Sequence, residues 1–266
     1  EGLYVDTVFQ RGDYSTNHDD VAISMLKEAV PLIREALGED IPIIVRMDSG
    51  YYDQKIFKVC EDLSIHFVCA GKRYSDHKHL EEKALHDFDG IYANNDSCWH
   101  YYRFEERRAD WDADMKYRAL FLRATKEDGE ALLGLDSRII LTNIGKEQCS
   151  DQDIINYDHS RGLDELTHRA AKEFSDEKMP CLDYCANAFW YTLSIIAFNL
   201  FQIFKRNIAC FPYNTYPNTI RRKLFDLAGK IVGGARSLKL RVSKWKMAEL
   251  KLLDIWQKSL IPWVID

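Results

Sequence analysis

Three residues late in the chain, Arg161, Glu165 and Lys172, have the types and spacing to handle phosphate or a metal ion. If residues 157–172 form one helix at 3.6 residues per turn, these side chains fall within roughly 60° of one another and line one stripe. A carboxylate between two cations is either a solvated ion-pair ladder or part of a site for metal and phosphate. A second carboxylate, Asp48, closes the apolar run IPIIVRM and precedes Ser49 and Gly50. The C-terminal end of a buried strand, before a glycine turn, is where α/β folds place catalytic groups. The same position also suits a turn or capping aspartate, with Ser49 or Asp53 capping the helix that follows. Carboxylate oxygens are ligands for hard divalent cations. Two such ions about 4 Å apart clamp the attacking and leaving oxygens of an in-line phosphodiester displacement.

The elements that must position these groups follow from periodicity. Residues 3–9 (LYVDTVF) are β-branched and aromatic and read as a strand. Asp19 or Asp20 caps a helix to about Leu37, the Asp48 strand follows, then a helix over 53–63 and a buried strand over 65–71. This alternation implies an α/β sheet with a parallel pair of strands around Asp48. Beyond residue 74 the grammar changes to β-rich runs at 97–105, 117–125 and 138–143, separated by turn-rich segments. His77 and His79 are read as loop residues there, and Trp99 and Trp111 as packing in preference to base stacking. Helical grammar returns at Asp151 and runs through an apolar stretch, 186–204, read as a buried core helix because Asn187, Asn199 and Gln202 interrupt it. The organisation expected is a core over 1–78, an antiparallel insertion over 79–146, the rest of the core over 147–211, and a basic segment over 212–266.

At 266 residues and 46% hydrophobic composition the chain has the makeup of a soluble globular protein. Seven scattered cysteines without a CxxC pair argue for reduced thiols, a cytoplasmic setting and no disulfide framework. Cys181 and Cys185 read as buried apolar thiols in preference to half a metal site. The opening EGLYVDTVF lacks the pattern of a signal peptide, and no membrane span is expected. The net charge of −6 speaks against nucleic acid, but residues 201–250 hold eleven Lys and Arg against Asp226 and Glu249. Such a segment is a candidate contact for a phosphate backbone or a solvated amphipathic helix.

The order of these features resembles that of insertion-sequence DDE transposases, whose ribonuclease H-like core carries a β-strand insertion before its last acidic residue. Their Tyr-Arg-Glu-Lys motif has three residues between Arg and Glu and six between Glu and Lys, which Arg161, Glu165 and Lys172 match. Three residues separate Tyr157 from Arg161 where the family has two. VRMDSGYYD resembles the family's Arg-x-Asp-Ser-Gly-aromatic segment, and LTNI, MPCLDYCANAFW and TIRRKLFDLAGKIVGGAR resemble family segments in order.

The resemblance implies a ribonuclease H-like mixed sheet with flanking helices. It also implies Asp48 and Glu165 as catalytic metal carboxylates for a two-metal site of Mg²⁺ or Mn²⁺. The first metal Asp of the family would lie upstream of Glu1, so weak or absent cleavage with retained DNA binding is expected of this chain. Arg161 and Lys172 would contact DNA phosphate, and Arg221, Arg222 and Lys223 would hold the duplex. The implied partners are double-stranded DNA with terminal inverted repeats, target DNA, and a second copy in a homodimer. The implied reaction frees a 3′ hydroxyl at the element's end and directs it at target DNA. A related metal-dependent nuclease and a decayed or co-opted DNA-binding protein are the alternatives.

Overall fold

The computed structural model describes residues 2–14, 20–94, 97–125, 137–160, 162–175, 179–209, 211–212, 215–234 and 237–259. They form two compact units, Gln10–Gly162 and Glu1–Phe9 with Leu163–Asp266.

In the first unit α1 (Val21–Leu37), β1 (Ile44–Met47), α2 (Gln54–Asp62) and β2 (His66–Ala70) follow the expected alternation. Asp53 caps α2, its Oδ1 accepting the Lys55 N–H at 2.8 Å. β1 and β2 are parallel, with Met47 level with Cys69. α3 (Lys78–His86) and the strands β3 (Gly90–Asn94), β4 (Ser97–Glu106), β5 (Tyr117–Thr125) and β6 (Arg138–Thr142) come next. All six strands share one mixed sheet in the order β1-β2-β6-β5-β4-β3, flanked by helices as in a ribonuclease H-like fold. The β-rich runs therefore continue the sheet of β1 and β2. The junction is the antiparallel β2–β6 pair, reinforced from β6 by side chains. Thr142 Oγ1 donates to the Phe67 carbonyl at 2.6 Å, and Asn143 takes the Phe67 N–H at 2.9 Å while donating to Ile65 O at 3.0 Å.

β5 (YRALFLRAT) is buried on both faces, so its apolar run reads almost without alternation. Phe57 of α2 stacks on Phe67 of β2 at 4.6 Å, and Tyr52, Met115, Tyr117 and Leu141 close the core around them. α4 (Asp151–His159), capped by Ser150, packs Ile154 and Ile155 against Val68, Leu120 and Ile140. Trp99 meets the His159 ring at 5.6 Å, and Trp111 meets Tyr52, Phe57 and Tyr117, so both indoles are packing residues. His77 is not a loop residue. It ends a 3-10 turn, is buried, and sets Nε2 2.9 Å from the buried Glu106 carboxylate.

The second unit holds α5 (Gly162–Ser175), α6 (Tyr184–Ile203), α7 (Pro217–Leu224), the hairpin β7 (Gly229–Gly234) and β8 (Ser237–Val242), α8 (Lys244–Glu249) and α9 (Leu252–Ser259). Residues 3–9, expected as a strand, are not one. Asn199 of α6 satisfies the backbone of Tyr4, taking its N–H at 2.9 Å and donating to its carbonyl at 2.7 Å. A side chain thus does what a neighbouring strand would have done. α6 differs from the expected buried helix as well: it buries only Ser194, Ile195 and Phe198, packing the last two against Ala170 and Ala171 of α5. Phe189, Leu193, Ile196 and Leu200 are exposed. By length and composition Tyr184–Ile208 is able to cross a membrane. Cys181 and Cys185 are exposed, contrary to expectation, while Cys60 and Cys69 are buried.

Candidate active site and nucleic-acid interface

Asp48 follows β1 directly, with extended backbone, and begins the 3-10 turn Ser49–Tyr51. Its Oδ1 accepts the Gly50 N–H at 2.8 Å, and its side chain is exposed. The carboxylate is thus a turn cap, as the local sequence allows, and is also presented outward at the end of a strand. Among the described residues only Oδ1 accepts a hydrogen bond, so the turn holds one of the two carboxylate oxygens. The Asp48 carbonyl receives the Cys69 thiol at 3.6 Å. Burial, then the negative charges of Asp48 and Asp158, push the Cys69 thiol far above its ordinary value, so it stays neutral. Burial and the Asp48 charge likewise raise the Tyr51 hydroxyl.

Arg46, two residues before Asp48, is the arginine of the Arg-x-Asp-Ser-Gly-aromatic segment, but no role was assigned to it from sequence. Its Nη1 donates to Ser160 Oγ at 2.5 Å and to the Tyr157 carbonyl at 3.3 Å, tying β1 to the end of α4. Beside that segment, the signal for a structural role was a cation inside an otherwise apolar strand, a residue type that is rarely buried unless paired. Asp158, also on α4, is buried and pairs with Arg138 at 2.8 Å. A deeper network lies at the other end of α4. There Asp151 is bonded by both Arg103 and Arg118, and Arg118 also donates to the Ile144 and Cys149 carbonyls at 3.2 and 2.9 Å. Burial alone would raise the Asp151 carboxyl, but the two guanidinium groups outweigh it and hold it below its ordinary value.

The stretch 157–172 is not one helix. α4 ends at His159, Ser160 closes it with its N–H on the Asn156 carbonyl at 2.9 Å, and α5 opens at Gly162. Glycine so close behind a serine favours such a break. Arg161 lies outside the described residues, so the expected three-residue stripe reduces to Glu165 and Lys172 on α5. These stand seven positions apart, two helical turns, and both are exposed. The buried residues of α5, Ala170 and Ala171, lie on the opposite side, where they meet α6. Asp48 belongs to the first unit and Glu165 to the second. Among the described residues no group of three His, Cys, Asp or Glu forms a ready-made metal cluster.

The basic segment is built from α7 and the hairpin. Pro217 opens α7, Ile220 is fully buried, and Arg221, Arg222 and Lys223 occupy the exposed last turn, where cations suit the helix dipole. In the hairpin Lys230 stands directly opposite Arg241, and Lys239 opposite Val232. Like charges facing each other across a ladder repel.

A comparison with curated proteins finds no match. The family model described as transposase DDE domain group 1 matches residues 9–258, a span that takes in both units, the strand-end Asp48, α5 with Glu165, and the basic segment. The chain belongs to the transposase DDE domain group 1 family.

Proposed function

We propose that this transposase domain breaks and rejoins DNA at the ends of an insertion sequence, with Asp48 and Glu165 each giving a carboxylate to divalent metal, Mg²⁺ or Mn²⁺. The observation that carries the reading is the family match over 9–258, which includes both carboxylates. The donor type fits: both are exposed, hard oxygen ligands. When bound, the metal ions supply charge neutralisation for an in-line displacement at phosphorus. The turn N–H of Gly50 holds one oxygen of the Asp48 carboxylate, which leaves the second for a cation. Lys172 and Arg161 serve DNA phosphate, as do Arg221, Arg222 and Lys223 with the cationic hairpin. Water cleaves the phosphodiester bond to release a 3′ hydroxyl; that hydroxyl then attacks a target phosphodiester and displaces a second 3′ oxygen. Terminal inverted repeats, target DNA and a second copy of the chain are the partners of that reaction.

Replacing the metal with Fe²⁺ and adding peroxide and ascorbate cuts a protein backbone beside its metal ligands. Cuts beside Asp48 and Glu165 that Mg²⁺ suppresses, and that Asp48→Asn or Glu165→Gln removes with the fold intact, are the expected result. Cuts elsewhere would reject these ligands. DNA binding without metal-dependent cleavage or strand transfer would assign the chain to nucleic-acid binding alone. For the basic segment, the Arg221→Ala, Arg222→Ala, Lys223→Ala triple variant is expected to lower the slope of log affinity against log salt by about 2–3. An unchanged slope would make α7 a solvated helix.

A further inference from the structure

After Ile203 the last helical turn of α6 widens into a π-helical turn, Phe204–Ile208. Such turns are rare and frequently mark functional positions. This one carries Lys205, whose side chain is buried, with 6% of the residue exposed. The Lys205 amine donates to the Thr215 carbonyl at 3.4 Å, a long hydrogen bond. It borders a cavity of about 210 Å³ whose other polar walls are Thr167 of α5, Gln202 of α6, and Thr215 and Tyr216 before α7. At ~30 Å³ per water, that volume is room for about seven waters.

The lining is chemically one-sided. Beside the apolar Leu166 and Ala170 it brings together an amine, hydroxyl groups and a carboxamide, and among the described residues no carboxylate lines it. Glu173, on the same helix as Thr167, is engaged outside the cavity by the Asn218 N–H at 2.9 Å. A second cation, Arg169, lies over the Tyr216 ring at 5.7 Å. Burial lowers the Lys205 ammonium from its ordinary value, so its charge is costly where it stands. An oxyanion entering the cavity would offset that cost and accept from several donors together.

We propose that this cavity is a phosphate site, in which Lys205 supplies the charge and Thr167, Gln202 and Tyr216 the neutral hydrogen bonds. The ligand is a phosphate group, free in solution or terminal on a nucleic-acid strand. The site lies within one unit and stands whether or not the chain cuts DNA.

The test is lysine acylation of the full chain at neutral pH, read at each lysine by peptide mass spectrometry. The probes are inorganic phosphate, a 5′-phosphorylated oligonucleotide and the same oligonucleotide without its phosphate. Sodium chloride at matched ionic strength is the control, and the exposed Lys146, outside every proposed contact, is the internal reference. Saturable protection of Lys205 by inorganic phosphate, or by the 5′-phosphorylated strand alone, supports the site and tells its two sources apart. Lys205→Met is expected to weaken phosphate binding by calorimetry about tenfold or more. If that variant does not fold, Thr167→Val with Gln202→Leu takes its place, with Lys205 protection weakened correspondingly. No protection by any probe, equal protection by chloride, or equal protection by the unphosphorylated strand would overturn the proposal.

Discussion

Asp151→Asn isolates the network that anchors α4 to the sheet. The Asp151 side chain is 5% exposed; Arg118 is 11% exposed and Arg103 31%. The substitution keeps the shape and one acceptor but leaves two guanidinium groups without their shared charge. Removing one partner of a buried pair costs about 3–5 kcal/mol, and the partial exposure of Arg103 sets the value near the lower end, about 3 kcal/mol. With a urea slope of about 2 kcal/mol per molar, the midpoint should fall by about 1.5 M with the slope unchanged. The sign with pH follows from a carboxyl held below its ordinary value of 3.8. Its stabilisation is complete above that value and is lost as pH falls through the lower folded value, so wild type and variant should converge in strong acid. Adding Arg118→Met removes the unpaired guanidinium and should restore part of the loss. A midpoint shift below about 0.5 M, or a gap that persists undiminished in acid, would refute the assignment.

Two further outcomes follow from the same reasoning. Burial lifts the Glu106 carboxyl to about 7, despite the pull of Arg108, and burial also lowers His77, whose Nε2 stands 2.9 Å from that carboxyl, so burial disfavours charge on both. Stability from Glu106 is therefore complete below its ordinary 4.5 and lost as pH rises toward 7; Glu106→Gln should flatten the fall in urea midpoint over that window, and parallel profiles would reject the idea. Asn199→Ala removes both side-chain bonds to the Tyr4 backbone, costing about 1–3 kcal/mol and exposing the Tyr4 amide to hydrogen exchange. Unchanged protection of that amide would show that another group holds the segment.

The architecture of the first unit was largely legible because its elements announce themselves locally. The run IPIIVRMDSG and the near-continuous β5 carry their burial in their residue types. What joins them was not legible, since the β2–β6 pairing rests on Thr142 and Asn143, ordinary polar residues whose meaning appears only beside Phe67. The LYVDTVF segment misled because β propensity reports fit to a pleated surface, and here the surface is a helix carrying Asn199. At the candidate site the strand-end Asp48 was readable from the glycine turn after it. The break at Ser160 was not anticipated, although Gly162 signalled it. The π turn at Lys205 has no periodic signature, because its five residues are too few for a change of helical period to register in the sequence.

The β2–β6 junction also sets an order of events when the chain is made. Phe67 takes its carbonyl bond from Thr142, 75 residues later. At synthesis rates of about 5–20 residues per second, that partner emerges roughly 4–15 s after Phe67. Throughout that interval the apolar HFVCA strand has β1 on one side and nothing from β6 on the other, so the nascent first unit cannot close its sheet before residue 142 leaves the ribosome.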